Sequence, residues 1–223
     1  MSTKEKIIWD YFINKGLSEY GCAGLMGNLY AESALNPCNL QGAYNKKFNM
    51  SDEEYTAAVD SGEYQDFIRD SAGYGLAQWT YWTRKRNLYN YAKDCGKSIG
   101  DLEMQLDFLY KELTENHKSV WSTLQSATSV LEASNMVLFN FEKPANQDES
   151  VQQERASFGQ KFLDKFASLV NSDNVPDEWA QEAVDWAIEN KILLGDGVDY
   201  KLHSGCTRQE MLVFLYRLYQ LIK

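Results

Sequence analysis

A glycine-rich helical segment that ends near Glu32 is the part of the sequence best suited to chemistry. Residues 18–37 form a helical pattern that stops before a proline, and Gly21, Gly24 and Gly27 lie in its interior. An interior glycine costs a helix roughly 1 kcal/mol relative to alanine. The sequence therefore predicts that other segments approach this helix closely.

Glu32 is the only carboxylate between Glu19 and Asp52, and apolar residues surround it. A carboxylate on a mostly apolar helix loses solvation, which disfavours its charged form and raises its pKa. Such a group can act as an acid near neutral pH. On this helix alone, a solvated or capping glutamate remains an equally simple interpretation.

The second candidate stretch is 70–79, Asp-Ser-Ala-Gly-Tyr-Gly-Leu-Ala-Gln-Trp. It combines a Gly-Tyr-Gly turn, a rigid ring and an amide, which together are suited to holding a sugar. Its structural alternative is a tight turn that leads into a helix.

Taken in this order, the two stretches resemble the lysozyme-like superfamily, in which a helix delivers a Glu-Ser pair and a Gly-Leu-x-Gln turn lines the opposite wall. Four runs resemble the phage tail lysozyme family of bacteriophage endolysins and tail hydrolases. They are Ala-Glu-Ser-Ala-Leu-Asn-Pro at 31–37, Gly-Tyr-Gly-Leu-Ala-Gln-Trp-Thr at 73–80 with Arg-Lys at 84–85, the leucine-bearing run 98–109, and Phe-Glu-Lys-Pro at 141–144. The likeness covers about residues 5 to 168.

The resemblance implies hydrolysis of the β-1,4 glycosidic backbone of bacterial peptidoglycan, with Glu32 as the general acid. It also implies an enzyme without a cofactor. The candidate substrate-binding residues are Tyr74, Gly75, Gln78, Trp79, Phe141 and Glu142.

A second catalytic carboxylate is expected if the enzyme acts as a two-carboxylate glycosidase, either as base or as nucleophile. Asp70 is the leading candidate because it immediately precedes the turn expected to face Glu32. Asp66, Glu63 and Asp60 lie in the same irregular stretch. A lytic transglycosylase, in which the substrate's own hydroxyl attacks, needs no second carboxylate.

Helical patterns dominate the elements that must position these groups. Serine or threonine N-caps followed three places later by an acid or amide occur at residues 2, 51, 129, 150 and 207, and Leu102, Leu106, Leu109 and Leu113 form one apolar stripe. The predicted fold is mainly α, a lysozyme-like α+β domain with a small irregular or β insertion at 39–79. Residues 1–170 form the catalytic domain, 171–176 a linker and 177–223 a small helical domain.

The C-terminal segment resembles a single S-layer homology repeat, on Trp-Ala-x-x-Ala-Val-x-Trp-Ala at 179–187, Gly-Asp-Gly at 195–197 and Thr-Arg-x-Glu at 207–210. The resemblance implies binding of a secondary cell-wall polymer, for which Asp196 and Arg208 are the candidates. Trp179 and Trp186 are expected in its core. Because such repeats usually come in threes, self-association or support of the catalytic domain is the alternative.

Composition limits the partners. The chain has 223 residues, with 22 Lys and Arg against 32 Asp and Glu for a net charge of −10, which opposes binding to nucleic acid or anionic lipid. No apolar run approaches the length of a membrane span. Four scattered cysteines and two histidines predict neither a zinc site nor a disulfide framework.

The first ten residues hold no signal-peptide apolar region, so synthesis in a host cytoplasm is expected. The resemblance then implies release to the cell wall, as for an endolysin. The other functions weighed are a lytic transglycosylase, an N-acetylglucosaminidase, and a non-catalytic wall-binding or tail structural protein.

Overall fold

The computed structural model describes residues 3–174, 176–195 and 200–223, with the side chains of 168–174 left out. The chain divides into two compact units, Met1–Leu163 and Asp164–Lys223. The first unit carries every candidate catalytic residue. None of the helices in the described ranges is long and apolar enough to cross a membrane.

Helices build the first unit. In chain order they are α1 (Lys4–Asn14), α2 (Glu19–Ser33), α3 (Gly42–Phe48), α4 (Asp52–Ser61), α5 (Trp82–Asp94), α6 (Leu102–Asn116), α7 (Lys118–Ser126), α8 (Val130–Val137) and α9 (Glu149–Asn174). A π-helical turn, Leu138–Glu142, continues α8. The helix α9 runs on into the second unit.

Two of the expected capping boxes form completely, at Ser51 and Thr207. Ser129 caps α8 through the Glu132 amide, while α1 is capped by Thr3. At α9 the Asp148 carboxylate accepts from the Val151 amide at 3.1 Å, so that helix begins just before the expected serine. The predicted helix starts thus agree with the observed ones to within two residues.

The close approach expected at the glycines of α2 is confirmed. A methyl group added at Gly21 would lie 1.8 Å from the Leu124 carbonyl oxygen of α7, and one at Gly24 would lie 2.5 Å from the Ala133 Cβ of α8. At Gly27 the nearest atom is the Arg155 carbonyl oxygen of α9, at 2.4 Å. These three contacts fix α2 at the centre of the unit.

The leucine stripe of α6 also lies where the periodicity places it. Leu106, Leu109 and Leu113 are fully buried, and Leu102 is partly buried at the start of the helix. Gln105, on the same helix, is buried as well and serves the turn described below.

The predicted β insertion does not form. Residues 39–79 contain α3 and α4, and the only β pairing in the described residues consists of isolated bridges, Leu40 to Tyr74 and Tyr74 to Trp79. Asn49 and Gly62, both in left-handed conformation, end α3 and α4. The connection between these two helices is short, whereas residues 62–81 before α5 form no helix and are irregular.

The second unit contains a 3-10 turn, Glu178–Ala180, followed by α10 (Gln181–Glu189) and α11 (Arg208–Ile222). The segment predicted as a linker is helical up to Asn174, because α9 extends to that residue. Trp179 and Trp186 are not core residues: their side chains are 86% and 46% exposed. Asp196 lies outside the described residues, and Arg208 is exposed at the first position of α11.

Candidate active site

Glu32 lies in the last turn of α2, where α9 provides its ion-pair partner. The Arg155 Nη2 donates to Glu32 Oε1 at 2.5 Å, with 20% of the Glu32 side chain exposed. The Arg155 Nη1 donates to Asn28 Oδ1 at 3.1 Å, one helical turn before Glu32. Asn28 is itself fixed, since its amide nitrogen donates to Gly24 O and to Ser134 of α8. Glu32 is therefore held by a buried polar network.

The end of α2 is attached to the second candidate stretch. Ser33 Oγ donates to Leu76 O at 2.9 Å and, within the helix, to Leu29 O at 3.1 Å. Ala34 and Leu35 follow with φ of 50° and 57°, left-handed conformations that carry strain for residues other than glycine. The helix thus ends abruptly, directly after Glu32. The two stretches paired by resemblance are joined by a hydrogen bond.

The turn at 74–79 is fixed by amide side chains. Gln105 Oε1 accepts from the Leu76 amide at 2.9 Å, and a methyl group on Gly75, at φ +75°, would lie 2.8 Å from the Gln105 amide. Gln78 Nε2 donates to Asn39 Oδ1 at 2.9 Å and to Gly75 O at 3.1 Å. Gly75 is therefore required for the turn itself, and the Gln78 amide nitrogen is engaged within the protein.

Tyr74 and Trp79 do not lie where sequence interpretation placed them. Both rings are fully buried. The Tyr74 hydroxyl pairs with Thr56 Oγ1 at 2.7 Å, and Trp79 Nε1 donates to Glu112 Oε2 at 2.7 Å. Because neither ring reaches solvent, both residues pack inside the protein and hold the turn in place.

Asp70 forms a buried ion pair. Its Oδ1 accepts from Lys85 Nζ at 2.5 Å and from the Ala72 amide at 2.9 Å, while its Oδ2 accepts from the hydroxyls of Tyr55 and Tyr64. The Asp70 and Lys85 side chains are 3% and 0% exposed. Burial lowers the pKa of Lys85, and Asp70 opposes that effect. With both oxygens occupied, Asp70 anchors α5 to the turn rather than facing a substrate.

Glu142, predicted only to line the cleft, is buried where the negative charge of Glu32 acts on it. It closes the π-helical turn, a feature that is frequent at functional sites. Its Oε1 is buried and has no hydrogen-bond partner in the described part of the chain. Burial, with a further contribution from the negative charge of Glu32, raises the pKa of Glu142 to about 8, against the opposing charges of Arg84 and Arg155. The site therefore contains two carboxyl groups, one partly exposed and ion-paired, the other buried with a raised pKa.

Arg84 is the second cation of the site. Its Nε and Nη2 donate to the two oxygens of Glu112 at 3.0 Å and 2.9 Å, and its guanidinium lies 4.7 Å from the centre of the Phe141 ring. His117 meets the same ring edge-on at 5.1 Å, and burial, followed by the charge of Arg84, lowers its pKa. Phe141 is buried between these groups, so it packs the site without presenting a face to a sugar.

Sequence reasoning missed Asn28, Glu112 and Arg155. Asn28 carried a readable signal, because it stands four residues before Glu32 on the same helix face. Arg155 had none, since its partner is 123 residues away in the chain. Exposed rings do occur beside Arg84, at Tyr81 and Trp82, which are 63% and 48% exposed.

Comparison with known proteins identifies a family for the first unit. The family described as phage tail lysozyme matches residues 3–166. Morphogenesis protein 1 of Bacillus phage B103 is 24% identical over 172 residues, which is 73% of this chain. The chain spans 40% of the length of that relative. Since the family match covers most of the chain, the protein belongs to the phage tail lysozyme family.

Proposed function

We propose that the first unit hydrolyses the β-1,4 glycosidic bonds of bacterial peptidoglycan as an N-acetylmuramidase, with Glu32 as the general acid. The observation that carries this proposal is the partly exposed Glu32, ion-paired to Arg155, together with the buried Glu142, whose pKa is raised. Glycosidases need one protonated and one ionised carboxyl group at the same pH.

The pair meets this need near neutral pH. Glu142 holds a proton because its pKa is raised to about 8, while Glu32 forms the ion pair with Arg155. Glu32 is the partly exposed member, so a glycosidic oxygen entering from solvent meets Glu32 first. We therefore assign proton delivery to Glu32 and storage of the proton to Glu142.

The two arginines suit the step that follows. Once the proton has moved to the leaving oxygen, the glycosidic bond breaks and both carboxyl groups are negatively charged in a partly desolvated site. Water then adds to the sugar carbon and returns one proton to the two carboxylates, which restores the resting state. Arg155 contacts Glu32 directly, and Arg84 is held by Glu112 beside Phe141. Fixed cations of this kind stabilise charge that develops during the reaction, because they need no reorganisation.

A lytic transglycosylase is the second candidate, and one observation favours it. Asp70 is locked by Lys85 and two tyrosines, and Glu142 is protonated in the resting site, so neither offers a free ionised carboxylate to activate water. In a transglycosylase a hydroxyl of the substrate attacks instead and leaves an anhydro end. The two activities differ in their products.

Product analysis tests both. Purified peptidoglycan is digested with wild type, Glu32→Gln, Glu142→Gln and the control Glu154→Gln, whose side chain is exposed on α9. The products are reduced with borohydride and measured by mass spectrometry. Reducible muramic ends establish a muramidase, reducible glucosamine ends a glucosaminidase, and anhydro ends a transglycosylase. We expect Glu32→Gln to lose activity by at least about a hundredfold and the control to retain it.

A non-catalytic role predicts a different result. If the folded wild type releases no products from several wall types, while still binding them, the protein is a wall-binding or tail structural component. The name of the B103 relative, a morphogenesis protein, makes particle assembly a reasonable setting for the same domain. Mass spectrometry of purified virions separates that setting from an endolysin found only in lysates.

For the second unit we propose attachment to a secondary cell-wall polymer, following its resemblance to an S-layer homology repeat. Arg208 supports this because it is exposed at the start of α11. Pelleting of the full chain with walls, before and after removal of secondary polymers, tests it with Arg208→Ala. The variant should bind less only while those polymers are present.

A further inference from the structure

The second unit exposes most of its large apolar side chains. On α11 those at least 44% exposed are Met211, Leu212, Val213, Leu215, Tyr216, Tyr219, Leu221 and Ile222. Soluble monomers rarely expose apolar patches larger than a few hundred Å², and larger ones commonly mark interfaces. Aliphatic side chains dominate this surface. Sugars pack on aromatic faces with polar groups nearby, so the apolar part of α11, residues 211–222, suits a protein surface better than a glycan.

A groove of about 530 Å³ lies beside this helix, between α11 and residues of 193–195 and 200–206. Its apolar wall includes Leu194, Leu202, Val213 and Phe214, with Gln209 among its polar lining. The guanidinium of Arg217 also lines the groove and donates to the Ile192 carbonyl at 2.8 Å. The groove is therefore an open, mainly apolar recess of a size that can receive a large side chain.

Trp179 is a side chain that fits such a recess. It projects from the 3-10 turn before α10 with 86% of its surface exposed, so the groove of its own chain does not hold it. A tryptophan inserted into an apolar pocket is a typical binding hot spot.

Charge favours a second copy as the partner. Residues 177–189, from the 3-10 turn through α10, include no basic residue and five acidic ones: Asp177, Glu178, Glu182, Asp185 and Glu189. Residues 207–223, which contain α11, include one acidic residue, Glu210, and three basic ones: Arg208, Arg217 and Lys223. Contact between α10 of one copy and α11 of another brings unlike charges together. Contact between two α11 helices would bring like charges together.

We propose that Trp179 of one copy inserts into the groove beside Val213 of a second copy, so that the chains associate head to tail through their second units. Such a heterologous contact uses two different surfaces and produces either a closed ring or a chain. It does not depend on the chemistry proposed for Glu32.

Sedimentation velocity of the full chain over about two decades of concentration tests the proposal. Wild type should form oligomers, and Trp179→Ala and Val213→Glu should each weaken association by at least about tenfold. Leu131→Glu is the matched control, because Leu131 is 40% exposed on α8 of the first unit. Circular dichroism establishes that each variant is folded.

Mixing the two variants gives the sharpest result. Trp179→Ala keeps an intact groove and Val213→Glu keeps an intact tryptophan, so one interface can form between them and growth then stops. A one-to-one heterodimer in the mixture, with each variant monomeric alone, is the expected outcome. A monomeric wild type, a mixture that stays monomeric, or equal dissociation by Leu131→Glu would each overturn the proposal.

Discussion

Gly27 and Arg155 are in backbone contact: a methyl group on Gly27 would lie 2.4 Å from the Arg155 carbonyl oxygen. The same arginine forms the ion pair with Glu32, a little more than one helical turn further along α2. The spacing between α2 and α9 therefore sets the position of the acid. A glycine that looks like a helix defect in the sequence serves the geometry of the site.

Gly27→Ala should accordingly damage both stability and activity. Overpacking of a close contact costs typically 1–3 kcal/mol, and displacement of α9 moves Arg155 away from Glu32. We expect a lower midpoint in thermal melts and a reduced kcat in the folded protein. Gly42→Ala is the control, because no atom lies within 4 Å of a methyl group there. Equal effects of the two substitutions would contradict this account.

Arg155 should act through Glu32 and not only through the fold. Arg155→Lys keeps the charge but loses the two-pronged contact with Glu32 and Asn28, so kcat should fall by roughly ten- to a hundredfold. Arg155→Met should lower kcat further and shift the alkaline limb of the pH profile upward, because the Arg155 charge lowers the pKa of Glu142. Rates measured from pH 5 to 10 on folded protein check both effects. A purely structural arginine would lower stability without moving the profile.

Glu142 should make the free energy of unfolding fall as pH rises. Its pKa goes from about 4.5 in the unfolded chain to about 8 in the folded protein, so between these values only the folded state keeps the proton. Stability then declines with pH, at most by about 1.4 kcal/mol per pH unit for one proton, and the contribution is complete below the lower value. Glu142→Gln should flatten this dependence.

Urea denaturation of wild type and Glu142→Gln at pH 5, 6.5 and 8 measures this pH dependence of the free energy of unfolding. The variant should gain stability relative to wild type as the pH increases. Glu154→Gln, exposed on the same helix as Arg155, should follow wild type throughout. Parallel curves for wild type and Glu142→Gln would mean that Glu142 ionises normally.

Local signals in the sequence were sufficient for part of this site. Interior glycines predicted the close helix packing around α2, which is confirmed. The apolar surroundings of Glu32 marked it as a candidate, whereas its ion pair with Arg155 was not predicted. Both signals are properties of neighbouring residues, which a sequence displays directly. The same holds for the capped starts of α4 and α11.

Long-range pairing accounts for what was missed. The type of a ring does not reveal which side of a turn it occupies, and Tyr74 and Trp79 are turned inward by partners at Thr56 and Glu112. Likewise, the sequence around Glu142 predicts only the end of a helix before a proline. Only the packing of α8 on α2 brings its charge into the field of Glu32.

Substitution of Asp70 tests whether its carboxylate is catalytic or structural. Asp70→Asn leaves Lys85 buried with its main anionic partner removed, and breaking a buried pair in this way costs about 3–5 kcal/mol. We therefore expect a strongly lowered melting temperature, yet a kcat per folded molecule, measured at low temperature, within about threefold of wild type.

The double variant Asp70→Asn/Lys85→Met separates the two explanations further. Removing the unpaired charge as well should recover part of the lost stability, since an apolar replacement no longer needs a partner in the interior. If Asp70 were the second catalytic group, the double variant would be folded and still lack activity by several orders of magnitude. A stable and active double variant would leave Glu142 as the second carboxyl group of the site.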